Sequence, residues 1–228
     1  MNSNKDNNSR RKFLGALALG ATASTISMLA NPIFAKMPSF DNSKISGLDS
    51  WFKSGIKGKY RIVYDGSMPH FGLPVLWNYA FYATNNATGA SDDDITAMTV
   101  FRHRAIPFAF EDRLWKKYKL GEFFNITDNY TNKPATHNLY NEPRDKDFPV
   151  AGVDGIKKLQ ARGAMFCVCD LAAKVYGGKL AEKYGLDATE VYNDLTSGLL
   201  PGVKLVPSGV WALGRAQDNG CGYIFAGE

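Results

Sequence analysis

The segment that decides the fold spans residues 153–184 and reads VDGIKKLQARGAMFCVCDLAAKVYGGKLAEKY. Its first part, residues 153–162, has the apolar spacing of a helix, and Gly163 follows in the position that commonly ends one. Residues 164–169 form a short apolar run that is typical of a buried strand, and residues 171–184 return to helical spacing. A helix, a buried strand and another helix in direct succession predict a parallel sheet covered by helices.

The same alternation extends along most of the chain. Further strands are predicted over residues 59–66, 94–101, 203–206 and 221–225. Further helices are predicted over residues 72–88, 106–118, 188–196, capped by Asp187, and 210–217. Strands that alternate with helices imply right-handed crossovers and helices on both faces of the sheet. The expected fold is therefore α/β, a single flavodoxin-like three-layer sandwich around a mostly parallel sheet of about five strands.

Two segments fall outside this alternation. Residues 36–58 are interpreted as a polar lead-in to an α/β domain that spans residues 59–228. Within that domain, residues 120–150 are rich in Asn, Thr, Asp and Pro and have no regular apolar spacing. An irregular stretch of this length is usually functional or disordered, so we interpret it as an insertion.

The first 35 residues have the order of an export signal, with a basic segment followed by an apolar one. Residues 9–14 read SRRKFL and resemble the twin-arginine export signal. The apolar stretch is too mildly hydrophobic for a spanning helix, and no cysteine lies near the expected cleavage position after Ala35. We therefore predict removal of residues 1–35, a periplasmic location and no stable membrane anchor.

Composition and charge narrow the classes of function. The 228-residue chain is 45% hydrophobic and 21% charged, the balance of a protein that packs a core, which excludes disorder and a collagen-like structure. Its net charge of +5 raises the question of a nucleic-acid partner. Without residues 1–35, however, 23 basic and 21 acidic groups remain, and no basic run is interleaved with aromatic residues. We therefore expect no nucleic-acid partner.

Polar and reactive side chains follow several of the predicted strands. In an open α/β sheet, ligands bind beyond the carboxyl ends of the strands. The residues expected at this rim include Ser67, His70, His103, Cys169 and Ser208. We interpret Cys169 and His103 as candidate catalytic residues, and the other three as candidate ligand-binding residues.

Cys169 is the leading candidate because it lies where a predicted buried strand ends and a helix begins. The free amides and the positive end of the helix dipole at such a junction favour a thiolate. Asp170 acts in the opposite direction, since a neighbouring carboxylate raises the pKa of a thiol. A small buried core residue is the alternative interpretation of Cys169. Cys167 and Cys221 are interpreted as structural, and a bridge between Cys167 and Cys169 is not expected.

His103 lies between Arg102 and Arg104, whose charges would depress its pKa and keep the ring neutral, as suits a base. A solvent-facing histidine in a basic turn is the alternative. His70 and His137 are interpreted as surface residues. The spacings that are typical of zinc sites and of glycine-rich phosphate loops are missing from the sequence, so we expect no metal and no cofactor. Binding of a metal or haem through His70, His103 and His137 is the alternative.

Five blocks of sequence carry a family resemblance. Residues 101–112 read FRHRAIPFAFED, and residues 114–122 follow with LWKKYKLGE. Residues 159–169 read LQARGAMFCVC, residues 200–210 read LPGVKLVPSGV, and residues 222–224 read GYI. Together these blocks extend over most of the chain after the predicted signal, and they resemble the DsrE family of sulfur-relay proteins.

The resemblance implies a flavodoxin-like fold, assembly as trimers or hexamers, and a persulfide on the cysteine at the strand-to-helix junction, here Cys169. It also implies a sulfurtransferase or sulfur carrier that meets a small sulfur compound or a partner thiol protein. Family members often have Asn where this chain has Asp170. The main hypothesis is thus a periplasmic sulfur-handling or thiol redox protein. The alternative is a non-enzymatic ligand-binding or assembly module that uses the same strand-end rim.

Overall fold

The computed structural model describes Asp41, Ser43 and residues 45–226, so the predicted export signal lies outside the described residues. The α-helices of the described part are α1 (Ile45–Gly55), α2 (Leu73–Ala87), α3 (Asp112–Lys117), α4 (Leu120–Phe124), α5 (Ile156–Ala161), α6 (Asp170–Tyr184), α7 (Ala188–Ser197) and α8 (Gly209–Asp218). Its strands are β1 (Tyr60–Gly66), β2 (Ile95–Phe101), β3 (Thr127–Asp128), β4 (Lys133–Pro134), β5 (Met165–Cys169), β6 (Lys204–Val206) and β7 (Gly222–Phe225). Within this part of the chain, none of the helices has the length and hydrophobicity that a membrane span requires.

Five strands form one parallel sheet in the order β6-β5-β2-β1-β7. The short strands β3 and β4 pair separately in an antiparallel ribbon. Every residue of the central strand β2 is buried, as expected for a parallel strand with both faces covered. The prediction of an α/β protein with a flavodoxin-like three-layer sandwich and a sheet of about five parallel strands is confirmed.

Helices cover both faces of the sheet. On one face, Phe52 of α1 and Ala212 of α8 belong to a core with Cys167 of β5. On the other face, Val75 of α2 and Leu180 of α6 belong to the larger core. Right-handed crossovers explain this division. The chain steps in one direction through β1, β2, β5 and β6, and α8 must cross the opposite face to return to β7.

β7 forms one edge of the sheet and is paired on one side with β1. All four of its residues are exposed, and Tyr223, Ile224 and Phe225 each keep 44 to 49% of their surface accessible. Its outer side has no strand partner among the described residues. The sheet therefore ends on this side in an uncovered apolar strand.

The helix predicted over residues 106–118 is broken in the structure. A 3₁₀ helix at His103–Ala109 is followed by extended backbone at Phe110 and only then by α3. Pro107 lies inside the 3₁₀ helix and has no N–H for a regular α-helical bond. Phe110 instead forms an antiparallel bridge with Leu199, which holds the break in place.

The helix before β5 also begins later than its apolar spacing predicts, at Ile156. Gly155 immediately before it packs against the backbone of the insertion, since a Cβ at that position would lie 2.5 Å from the carbonyl oxygen of Asn141. The contact with the insertion therefore sets the start of α5.

The segment interpreted as a polar lead-in, residues 36–58, contains α1. Leu48 and Phe52 are buried on this helix, and Ile56 is buried just beyond it. These positions are four residues apart, so they form one apolar stripe despite the polar residues between them. Residues 45–55 of this polar segment therefore form a helix that packs on the sheet of the α/β domain.

The insertion at residues 120–150 packs onto the loops that follow β1 and β2. The side-chain amide of Asn138 is buried and donates to the carbonyl oxygens of Phe108 and Phe110, at 2.9 Å each. The ring of Tyr140 contacts Phe108, with 4.5 Å between the ring centroids. The insertion is therefore held by buried contacts, although most of it has no regular secondary structure.

Candidate functional site

Cys169 lies at a point where the helices change face. Helix α6 follows β5 and packs on one face of the sheet, whereas α8 follows the neighbouring strand β6 and packs on the other. Helices that leave adjacent strands toward opposite faces open a crevice at the carboxyl ends of those strands, where open α/β sheets bind ligands. Cys169 is the last residue of β5 and therefore lies at this crevice.

The sulfur of Cys169 receives amide groups from the first turns of two helices. Cys169 is the N-cap of α6, and its Sγ accepts the N–H of Ala172 at 3.3 Å. The backbone N–H groups of Leu171 and of Gly209, the first residue of α8, also lower the pKa of the thiol. Both helices thus direct N–H groups and the positive ends of their dipoles at one sulfur atom. We call these three amides the amide cradle.

The thiol of Cys169 is nonetheless protonated in its resting form. The residue is only 6% exposed, and this burial raises its pKa above its ordinary value. The amide cradle lowers the pKa, but the effect of burial is larger. The thiolate expected from the strand-to-helix junction is therefore opposed by desolvation.

Asp170, the first residue of α6, raises the pKa of Cys169 as predicted, but less than burial does. Its buried carboxylate is held by two partners. The hydroxyl of Tyr192 donates to Oδ1 at 2.6 Å, and Lys174 Nζ lies 2.6 Å from Oδ2. Asp170 therefore forms an ion pair with Lys174 while it lies beside the thiol.

A charged cluster that the sequence reasoning missed lies beside Cys169. Arg102 follows β2 and pairs with Asp65 of β1 through two bonds, Nε to Oδ1 at 2.5 Å and Nη2 to Oδ2 at 2.9 Å. Tyr223 of β7 donates its hydroxyl to the same carboxylate at 2.9 Å. The Arg102 side chain packs on Gly209, where an added Cβ would lie 2.7 Å from Arg102 Cβ. The cluster therefore places the Arg102–Asp65 ion pair beside Gly209, whose amide belongs to the first turn of α8.

His103 is positioned by Tyr176 and not by Cys169. Its Nδ1 lies 2.9 Å from the Tyr176 hydroxyl, and its backbone has a left-handed φ of 49°. Partial burial lowers the pKa of His103, and the charges of Arg104, Arg102 and Lys179 lower it further. The lowered pKa agrees with the neutral His103 ring that the sequence predicts. The ring forms its hydrogen bond with Tyr176, however, and not with Cys169.

Replacing Arg104 with alanine should raise the pKa of His103, because one of the cations that disfavour the imidazolium is removed. In the wild-type protein, the lowered pKa means that the unfolded chain takes up the proton first as the pH falls below 6.5, the ordinary value. The contribution of His103 to stability is therefore present above that value and lost below it. Titration of the histidine ring protons by NMR measures the pKa of His103 in the wild-type protein and in Arg104→Ala. Lys116→Ala, which removes an exposed cation elsewhere, should leave the titration unchanged, and an unchanged titration in Arg104→Ala would contradict the assignment.

The three candidate ligand-binding residues have different environments. Ser208 caps α8, and its Oγ accepts the N–H of Trp211 at 3.2 Å. Ser67 is buried, and its carbonyl oxygen accepts the backbone N–H of Arg104 at 2.9 Å. His70 lines an open cleft. The two serines thus shape the rim, while His70 faces a space that could hold a ligand.

The cleft that His70 lines has a volume of about 410 Å³. Its walls come from the loop after β1 (residues 68–71), from Arg104 after β2, and from the insertion (residues 124–127, Asn129 and Tyr140). The insertion therefore supplies one wall of a cavity at the sheet rim. The sequence signal for it was only the irregular length of residues 120–150.

Cys167 and Cys221 are buried and unpaired in the core beneath α1 and α8. Burial raises the pKa of Cys221 to about 11, and it raises the pKa of Cys167 well above its ordinary value. Their structural interpretation agrees with this environment. The described residues contain no group of three or more His, Cys, Asp or Glu side chains that could hold a metal ion.

The fold and the site define an α/β sandwich protein with a cysteine in the crevice of its sheet. Neither a family model nor a curated protein matches the chain. The solved structure of a protein of unknown function from Methanobacterium thermoautotrophicum is similar at 17% identity, with a TM-score of 0.38, over 73% of this chain and 98% of that one. The description of that protein names no activity, so the function proposed below rests on the site.

Proposed function

We propose that this chain is an exported, DsrE-like protein of the periplasm that handles sulfur, and that Cys169 carries the sulfur as a persulfide. The observation that carries the proposal is the amide cradle, in which α6 and α8 direct amides at one sulfur in the crevice of the sheet. The signal-like residues 9–14 support the export part of the proposal. Assembly as a homo-oligomer belongs to the same proposal, through the resemblance.

Loading requires a donor that carries a sulfane sulfur, such as thiosulfate or a polysulfide. The Cys169 thiol releases its proton to solvent, and the thiolate attacks the outer sulfur of thiosulfate. A new S–S bond forms on Cys169 while the S–S bond of the donor breaks, and sulfite leaves with the electron pair of that bond. Charge and sulfur balance in this step, and it needs no external oxidant.

The cradle suits a persulfide better than a thiol. A persulfide is a stronger acid than a thiol, so its terminal sulfur carries negative charge near neutral pH. The amide donors at Sγ and the two helix dipoles favour negative charge on this sulfur or on a sulfur bonded to it. Burial meanwhile keeps the unloaded thiol protonated and slow to oxidise. The site therefore distinguishes the loaded from the unloaded protein.

Two exposed apolar side chains flank the cradle at the surface. Leu171 in the first turn of α6 is 39% exposed, and Val210 in the first turn of α8 is 68% exposed. Exposed apolar residues beside a nearly buried reactive atom favour the docking of a protein that approaches that atom. This arrangement supports transfer of the sulfur to a partner thiol protein.

Incubation of the purified protein with thiosulfate or polysulfide should add one sulfur atom to Cys169, and intact-protein mass spectrometry with peptide mapping would detect it. Cys169→Ala should lose the adduct completely. Cys167→Ala, which removes a neighbouring cysteine in the same strand, should keep it, because Cys167 is fully buried below the crevice. Absence of an adduct, or an adduct that persists in folded Cys169→Ala, would refute the proposal.

A second candidate function, binding of a ligand without chemistry at Cys169, is favoured by the cleft of about 410 Å³ beside the same rim. The two candidate functions predict opposite results for Cys169→Ser. Cys169→Ser should abolish function in cells if the protein carries sulfur, and should leave it intact if the cleft alone is used.

A further inference from the structure

We propose that the cleft between the loop after β1 and the insertion binds a small aromatic carboxylate, with Arg104 as the residue that pairs with its charge. This inference concerns the cleft alone and does not depend on sulfur chemistry at Cys169, which is not among the residues that line it. Three independent observations support it: the charge of the lining, the chemistry of its walls and the conformation of its backbone.

The lining of the cleft favours an anion. It contains the guanidinium of Arg104 and no Asp or Glu side chain. Arg104 forms no ion pair among the described residues, whereas Arg102 nearby is fully paired with Asp65. A half-buried guanidinium without a carboxylate partner offers two parallel donors that match a carboxylate.

The walls of the cleft favour an aromatic body on that anion. Phe71, Phe124 and Tyr140 all line it, and the guanidinium of Arg104 lies 5.8 Å from the centroid of the Phe124 ring. The contact places Arg104 against an aromatic wall of the cleft. Phe71 is 74% exposed, so its ring is accessible to a ligand in the cleft.

The rim of the cleft holds backbone that L-residues rarely adopt. His70 and Phe71 have φ values of 33° and 53°, and Asn125 across the cleft has 58°. Strained residues of this kind persist only where the surrounding structure fixes them, and they cluster at ligand sites. Tyr140, which lines the same cleft, is fixed by contacts with Phe108 and Phe148, with ring centroids 4.5 and 5.1 Å away. The cleft is therefore preformed.

The size of the cleft sets the size of the ligand. A volume of about 410 Å³ lies near the lower end of the range for small-molecule sites. Such a space suits an aromatic carboxylate of one or two rings, with the amides of Asn125 and Asn129 at the polar side of the cleft.

Binding of naphthoate to the full chain, measured by calorimetry and by ¹H-¹⁵N NMR, tests the inference. We expect naphthoate to bind and to shift the amide signals of Met68, His70 and Phe71 and of residues 124–129. The neutral analogue naphthalenemethanol should bind at least about tenfold more weakly, because it cannot pair with the guanidinium. Arg104→Gln keeps most of the side-chain shape without the charge and should weaken naphthoate binding by a similar factor.

Lys116→Ala removes an exposed cation outside the cleft and is the matched control, which should bind as the wild type does. Cys169→Ala should also bind naphthoate unchanged. Equal affinity for the two compounds, or unchanged affinity in folded Arg104→Gln, would overturn the inference. Because the readout is binding at the cleft, the inference stands even if no sulfur adduct forms on Cys169, and it fails independently of that result.

Discussion

Replacing Phe166 with alanine should lower the free energy of unfolding by about 3 to 5 kcal/mol. Phe166 lies in β5, is fully buried, and stacks on Phe101 of β2 with ring centroids 5.7 Å apart. Phe101 in turn contacts Phe108 edge to face at 5.8 Å. Truncation removes the ring that joins two central strands to the loop after β2, and a rigid sheet cannot collapse into the space. Urea unfolding followed by circular dichroism measures the loss.

Phe225→Ala provides the matched control, because the same substitution is made in an edge strand where the ring is 49% exposed. Its cost should be about 1 kcal/mol or less, since little area leaves water when that ring folds. Equal losses in the two variants would contradict the central position of β5 in the sheet.

Replacing Gly72 with alanine should cost about 2 to 4 kcal/mol and disturb the cleft. The φ of Gly72 is 83°, which an L-residue adopts at a cost of about 1 to 2 kcal/mol. A Cβ there would also lie 2.3 Å from Tyr140 Cε1 and 2.7 Å from Phe148 Cε1, so the insertion would have to move. Denaturant unfolding gives the loss of stability, and the NMR signals of the insertion report its displacement.

Gly89→Ala separates the cost of the left-handed φ from the cost of the clash with the insertion. Gly89 also has a left-handed φ, 98°, but a Cβ there would meet nothing within 4 Å. This variant should cost only about 1 to 2 kcal/mol and should leave the signals of the insertion unchanged. If Gly72→Ala is no worse than Gly89→Ala, the insertion does not pack on Gly72 as the structure shows.

Most of the sheet could be predicted because its strands are short apolar runs between helices with clear spacing. The buried run before Cys169 and the helix after it were assigned from residues 164–184, and the capping role of Asp187 was also correct, since its carboxylate accepts the amides of Thr189 and Glu190. Helix α1 was missed because its apolar residues lie in a short segment that is otherwise rich in polar residues and glycine. The break at Phe110 could not be foreseen because it depends on a bridge to Leu199, far along the chain.

The candidate site was predictable only where a single strand end determines it. Cys169 was placed at a strand-to-helix junction from local pattern, and the structure puts it there. The contribution of Gly209 to the cradle and the pairing of Arg102 with Asp65 depend on which strands are neighbours, and a single sequence does not show strand order. The hydrogen bond between His103 and Tyr176, which lies two turns into α6, also could not be predicted, because it depends on the same tertiary arrangement.

The β7 edge influences how the protein behaves in concentrated solution. Edge strands with free backbone donors and acceptors can accept a strand from another molecule, and many proteins prevent this with a charged residue, a proline or a bulge in the strand. Residues 222–225 read GYIF and contain no charge and no proline. We therefore expect high protein concentration to favour continuation of the sheet from one molecule into the next, either as a closed assembly that hides the edge or as an aggregate that extends it.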